Sequence, residues 1–285
     1  MVKQVYSHNS VQKDIVRQRW LEFANEFYEE QRGLSVITFP SEELHELELY
    51  KENGLIDWEE TETGGRKITR GKIVCFEQEG SKYKEIVKKL INAKVESGEF
   101  GFLLRTKYQS IISGTSIFPV DLVNLDYDGC ISRIRVPIAE TIERVFQFQG
   151  NHQKSFSFFM TWPHTENEDL QSYKTELRNI ITDNLADVEN FRNQFENEYQ
   201  TIHNLNYEQL SIIGMVKTIF RNSSLRRFKL SNSGLLVYGG TNSRMRMFSI
   251  LLNFNYVGNE MTQHQIYSTD IMYALDNVED LNNSN

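Results

Sequence analysis

The sequence predicts an α/β fold, a doubly wound and mostly parallel seven-stranded sheet with an N-terminal helix and antiparallel C-terminal strands. Three observations predict it. Short apolar runs alternate five times with helical stretches between residues 34 and 162. Parallel strands buried on both faces read as such continuous runs. Several of the runs stop abruptly in polar residues, most clearly in Phe118-Pro119-Val120-Asp121-Leu122-Val123-Asn124-Leu125-Asp126-Tyr127-Asp128-Gly129. In open α/β sheets the carboxyl ends of strands are where ligands bind. The last third carries two longer strand-like runs, as a terminal antiparallel pair would.

The 285 residues are 39% hydrophobic and 25% charged, the balance of a water-soluble chain. No apolar run approaches the roughly 18 residues of a membrane span, and the first residues lack the apolar stretch of a signal peptide. Two cysteines, Cys75 and Cys130, make no disulfide framework and no zinc spacing, so a reducing, cytoplasmic setting is expected. A formal net charge of −8 opposes non-specific attraction to nucleic acid and confines any such binding to a local basic patch. The expected organisation is a helical segment at 1–32, an α/β domain at 33–260 with a helical insertion at 167–206, and a tail at 261–285.

Residues 9–31 read as a helix capped by Ser10, with Ile15, Trp20, Phe23, Ala24 and Phe27 on its buried face and Gly33 closing it. Packing on the sheet accounts for that face better than a groove for a planar ligand. The first strand, 34–39, runs into Pro40 and a helix capped by Ser41, with Glu42 and Glu43 in its first turn. No glycines stand in this turn, and its acids disfavour phosphate; a cationic ligand is better tolerated. Residues 54–71 read as an exposed loop or β-hairpin, with Gly64-Gly65 supplying the turn. The second strand, 72–77, ends in Glu77, a bidentate acceptor suited to vicinal hydroxyls, with Glu79 close behind. A helix is expected over 82–94 and a third strand over 100–104, ending in Arg105-Thr106-Lys107, with a short helix over 108–112.

The fourth strand is buried by Val120, Leu122 and Leu125 and delivers Asn124, Asp126, Tyr127 and Asp128 to its end. A helix over 137–148 and a fifth strand over 155–162 follow, with His164 in the loop beyond. Residues 167–203 and 207–220 read as helices. Strands are expected over 226–238, turning within 231–234, and over 245–257, where Ile250-Leu251-Leu252-Asn253-Phe254 suits a central strand. The final ten residues are polar and expected to fray.

On these residues the chain resembles the class I S-adenosylmethionine-dependent methyltransferases, over about 33–258. Thr38 to Glu43 stand at the first cofactor turn, and Glu77 stands where that family places a ribose-binding acid. Asn124-Leu125-Asp126-Tyr127 is similar to the Asn-Pro-Pro-Tyr motif of base amino-methyltransferases without its prolines. Asn124 to Gly129 is also similar to the Asp-Leu-Asp-Pro-Tyr-Gly pattern of tRNA guanine amino-methyltransferases. The resemblance implies S-adenosylmethionine held by Thr38, Pro40, Glu43 and Glu77. It implies Asn124, Asp126 and Tyr127 at the reacting end, with a side-chain oxygen accepting from the target amine and Tyr127 stacking on a flipped base. Asp128 and His164 are outlying candidates. No metal is implied, and the partner would be a nucleic acid or a protein subunit. A non-catalytic methyltransferase-like subunit is the first alternative, marked by a filled pocket below Thr38, Phe39 and Pro40. A nuclease using Asp126, Asp128 and Glu77 to hold Mg²⁺ is the second.

Overall fold

The computed structural model describes residues 11–28, 33–41, 43–127, 136–165, 175, 178–179, 181–182, 189–239, 245–267 and 278–281. The expected Ser10 cap, Glu42, Asp128, Gly129 and most of 167–188 lie outside them. An N-terminal helix α1 (Val11–Phe27) is followed by β1 (Ser35–Thr38), α2 (His45–Glu52), β2 (Asp57–Glu60), β3 (Arg66–Arg70), β4 (Lys72–Glu77) and α3 (Gly80–Lys89). Then come β5 (Leu90–Ile91), β6 (Lys94–Ser97), α4 (Phe100–Thr106), α5 (Ile111–Gly114), β7 (Leu122–Asp126), α6 (Ile138–Asn151) and β8 (Phe156–Thr165). The chain ends with α7 (Glu189–Tyr199), α8 (Tyr207–Leu225), β9 (Phe228–Gly239), β10 (Met245–Tyr256) and β11 (Val278–Asp280).

The main sheet runs β11-β9-β10-β8-β7-β1-β4-β6, eight strands where seven were expected. β1, β4, β6, β7 and β8 are mutually parallel, while β10 runs antiparallel to both β8 and β9. The eighth strand is β11, which pairs parallel with β9 in the stretch expected to fray. Arg246 of β10 holds it through Asp280 at 2.8 Å and also pairs with Glu208 at 3.1 Å. A polar tripeptide is ordered by tertiary ion pairs, which local composition does not report. The hairpin is present as β2 and β3, and with β5 it makes a separate three-stranded sheet.

Side chains of successive strand residues point to opposite faces, and both faces are covered. Ile37, Val74, Phe76, Val123, Leu125 and Phe158 join a core with α4, α6 and α8. Phe146 of α6 sits at its centre, with ring centroids 5.2 Å from Phe254 and 5.3 Å from Phe156. Val36, Ile73, Cys75, Leu122 and Phe159 join a second core with Trp20 of α1, Leu47 and Tyr50 of α2 and Ile86 of α3.

Three expectations move. The third strand is the polar edge segment 94–97, and 100–106 is helical. Phe100 and Leu104 are buried while Phe102 is 38% exposed, a four-residue period that the apolar run concealed. α2 starts at His45 rather than after Ser41; its first flank, Leu44, is left-handed at φ 61°, and no side chain caps it. β9 does not turn at 231–234 but carries a bulge at Ser231 opposite Asn253 and Phe254 of β10. Gly234 then lies under Phe23 of α1, where an added Cβ would be 3.0 Å from the ring.

The β3–β4 turn fixes β4 against β1. Gly71 has φ +92°, and an added Cβ would stand 2.7 Å from the Leu34 carbonyl oxygen. That same oxygen accepts from the Lys72 N–H at 3.0 Å. Gly71→Ala is expected to lower stability by about 2 kcal/mol from the strained φ alone, with the backbone clash adding to it. Urea unfolding followed by circular dichroism checks this, and an unchanged midpoint would contradict it.

Candidate functional site

The parallel strands end on one edge, and their register sets the neighbours there. Thr38 of β1 lies beside Cys75 of β4 and Asn124 of β7. Glu77 lies beside Ser97, and Asp126 beside Thr161. Because Val36, Leu122 and Ile73 pack toward α1–α3, Thr38, Asn124, Asp126, Cys75 and Glu77 share that face by alternation. Phe39 and Tyr127 fall on the other face and pack against the first core.

Beneath α1 this edge is charged and largely buried. The Lys13 ammonium lies 2.5 Å from both carboxylate oxygens of Asp126, across 113 residues of sequence. The two side chains are 11% and 22% exposed. One turn on, Arg17 is buried and donates to Asp14 at 2.8 Å. From α2, Glu46 faces the same cluster. Burial first, and Asp126 beside it, push its carboxyl up to about 7, against the pull of Arg17 and Lys13. Tyr50 completes the layer: Asn124 Nδ2 donates to its hydroxyl at 3.4 Å, and burial together with Glu46 raises the phenol pKa. Burial likewise raises the Cys75 thiol, so it is an inert thiol and not a nucleophile.

Several buried oxygens at this edge have no protein partner: Thr38 Oγ1, Ser41 Oγ, Asn124 Oδ1 and Glu46 Oε1. An unsatisfied buried polar group costs about 1–3 kcal/mol, and a cluster of them marks a place that a polar ligand or water completes.

Among the residues the sequence singled out, Thr38, Asn124 and Asp126 come together. Pro40 is buried beside the β1 end, while Glu43 is exposed in the turn before α2. Glu77 accepts from the Glu79 N–H at 2.6 Å. Phe39 packs edge-on against Tyr127 at 5.2 Å and against Phe100 at 5.7 Å, so aromatic rings fill the space beside Phe39. Burial, then Glu99, raises the Tyr127 phenol. The backbone of His164 lies within β8, paired with Arg246, and not in a loop. β8 runs on because β10 is long enough to pair it through Thr165.

Lys13, Arg17, Glu46 and Tyr50 were missed. The buried side of α1 carries Lys13, Val16, Arg17, Trp20 and Ala24, while Ile15, expected inside, is 40% exposed. Lysine and arginine four apart and in step with Trp20 were the available signal. Among the described residues no group of three or more His, Cys, Asp or Glu could hold a metal; Asp128, one of the three acids of the nuclease alternative, lies outside them. No helix among the described residues is long and apolar enough to cross a membrane.

No protein-family model matches the chain, and no curated protein matches it. Solved structures similar to it include TYW2 of M. jannaschii in complex with AdoMet, 9% identical, with 90% of this chain and 80% of that chain covered and a TM-score of 0.43. The plantazolicin methyltransferase BamL, in complex with a triazolic desmethylPZN analog and SAH, is 8% identical over 86% of this chain and 92% of its own, at a TM-score of 0.41. The cyclase SpnF is 7% identical over 89% and 85%, at 0.42. Identities and scores at this level carry no argument about reaction or ligand. The fold rests on the sheet itself: the order β6-β4-β1-β7-β8-β10-β9 with β10 alone reversed is a doubly wound, mostly parallel Rossmann-like fold.

Glu46 gives the site a pH signature. Its pKa is raised on folding from 4.5 to about 7, so the folded state binds more protons between those values and stability falls as pH rises through that window. Below pH 4.5 the contribution is fully present; above about 7 the loss is complete, of the order of 3 kcal/mol for a shift of this size. Glu46→Gln is expected to flatten the decline between pH 4.5 and 7 and to be more stable than the parent at pH 8. Urea midpoints across pH 4–8 check this, and parallel curves for the two proteins would refute it.

Proposed function

We propose that the chain is an S-adenosylmethionine-dependent methyltransferase acting on an amino group. The single observation that supports this best is the buried polar set at the carboxyl edge of β1 and β7, where Thr38, Ser41 and Asn124 present unpartnered oxygens. Those oxygens fit a polar cofactor of this kind. Thr38, Pro40 and Glu43 would line its methionine end, and Glu77, oriented by the Glu79 N–H, would accept from ribose hydroxyls. When bound, the cofactor supplies an electrophilic methyl group. Asn124 and Asp126 would supply the carbonyl or carboxylate oxygen that accepts from the target amine and aims its lone pair. The resemblance of the β7 end to base amino-methyltransferases names an exocyclic base amine as one such target, although Tyr127, packed with Phe39 on the other face of the sheet, is not beside Asp126 to stack on it.

A second reading has its own support. Asp126 is held by Lys13, Tyr127 by Phe39 and Glu77 by a backbone N–H. A chain that satisfies its reacting groups internally suits a non-catalytic methyltransferase-like subunit that binds a partner.

Calorimetric titration with S-adenosylmethionine and S-adenosylhomocysteine separates the two. The first reading expects micromolar binding that Glu77→Ala weakens by about 1–3 kcal/mol, the cost of unpaired hydroxyl donors. No heat from a protein shown to be folded would sink the enzyme reading and leave the subunit reading standing.

A further inference from the structure

We infer that the acceptor position at the end of β7 recognises a primary aliphatic ammonium, and that Lys13 is its built-in occupant, a pseudosubstrate that any incoming amine must displace. The inference rests on the reading of Asp126 as part of the reacting end.

The geometry is that of an ammonium site. Both oxygens of Asp126 contact one nitrogen at 2.5 Å. The same nitrogen stands 5.2 Å from the centroid of the Trp20 ring, within cation–π range. The wall stays put without Lys13, because the Trp20 indole N–H donates to Ser249 Oγ at 3.2 Å and the ring is 1% exposed. Ser249 in turn accepts from Thr161 of β8 at 2.9 Å. Lys13, by contrast, reaches this position from the first described turn of α1 on a flexible four-carbon stem. A lysine side chain can leave this position by rotating in that turn, with Trp20 and Asp126 remaining as the site.

A planar base fits the same place less well. Its ring would need a stacking platform beside Asp126, and Tyr127 does not supply one there. Asp126 points to the α1 face of the sheet, whereas Tyr127 packs with Phe39 on the opposite face. The two groups that a flipped base would need together are divided by the strand itself. An alkylammonium needs only the carboxylate and an aromatic wall, and both are on one side.

The test uses the full chain with N-acetyl-lysine amide as the aliphatic probe and adenosine as the planar one, each titrated by calorimetry. Lys13→Ala is expected to bind the lysine amide at least tenfold more tightly than the parent, and Lys13→Ala/Asp126→Asn is expected to lose that gain. Absence of a gain in Lys13→Ala, a gain that survives Asp126→Asn, or a gain for adenosine in place of the lysine amide would each overturn the inference. Should Lys13→Ala fail to fold, hydrogen exchange on the parent decides. Millimolar lysine amide is expected to speed exchange of the amides of residues 14–17 and leave those of α8 unchanged, and unaltered exchange in the first turn of α1 would overturn it. S-adenosylhomocysteine binding, measured on the same samples, reports separately on the methyltransferase reading, so the two can fail independently.

Discussion

A sheet covered on both faces has no tolerance for an unpaired charge, and the Lys13–Asp126 contact is how this chain meets that constraint at its central strand. β7 lies between β1 and β8 and is buried over its first four residues. Its last residue is a carboxylate lying under α1. Removing one partner of such a pair leaves a desolvated charge, which in fully buried cases costs about 3–5 kcal/mol. Here both groups retain some water, so the cost is smaller. The consequence is positional. The contact ties the start of α1 to the carboxyl edge of the sheet, and Trp20, Phe23 and Tyr28 are thereby laid along β10, β9 and β7.

The rest of α1 follows that anchor as a line of polar contacts set into an apolar interface. Trp20 donates to Ser249, the Asn253 amide donates to the Phe23 carbonyl at 3.1 Å, and the Tyr28 hydroxyl donates to the Asp121 carbonyl. Ser157 donates to Asn253 at 2.6 Å beneath them. Apolar burial supplies most of the energy of such an interface without direction. Hydrogen bonds that must be made once water is excluded fix the register of helix on sheet.

The same edge carries the candidate site, and this coincidence gives the fold its functional tension. A closed polar layer is stable when every group is paired. Thr38, Asn124, Ser41 and Glu46 each keep an oxygen that is not. Glu46 adds a carboxyl that folding holds protonated into the neutral range. Stability is given up at the carboxyl ends of β1 and β7, where open α/β sheets place ligands, and the apolar cores on either face supply the compensation.

The alternation of strands and helices outside 94–106, the turn at Gly64-Gly65, the run of β7 into Asp126 and the centrality of β10 were legible in the sequence, because continuous apolar runs and turn residues report burial and chain reversal locally. Thr38, Asn124 and Asp126 were legible as strand-end polar residues for the same reason. What only the tertiary structure decided depended on contacts between distant residues. Lys94-Val95-Glu96-Ser97 became a strand because β4 offered it an edge, and Val278–Asp280 became one because Arg246 and Arg19 reach its carboxylates. Lys13 turned inward because its charge has a partner there, Asp126, whereas Arg17 is buried along its stem while its guanidinium reaches the exposed Asp14 of its own helix. Hydropathy ranks a lysine as exposed whatever stands opposite it; pairing across 113 residues is a property of the folded chain alone.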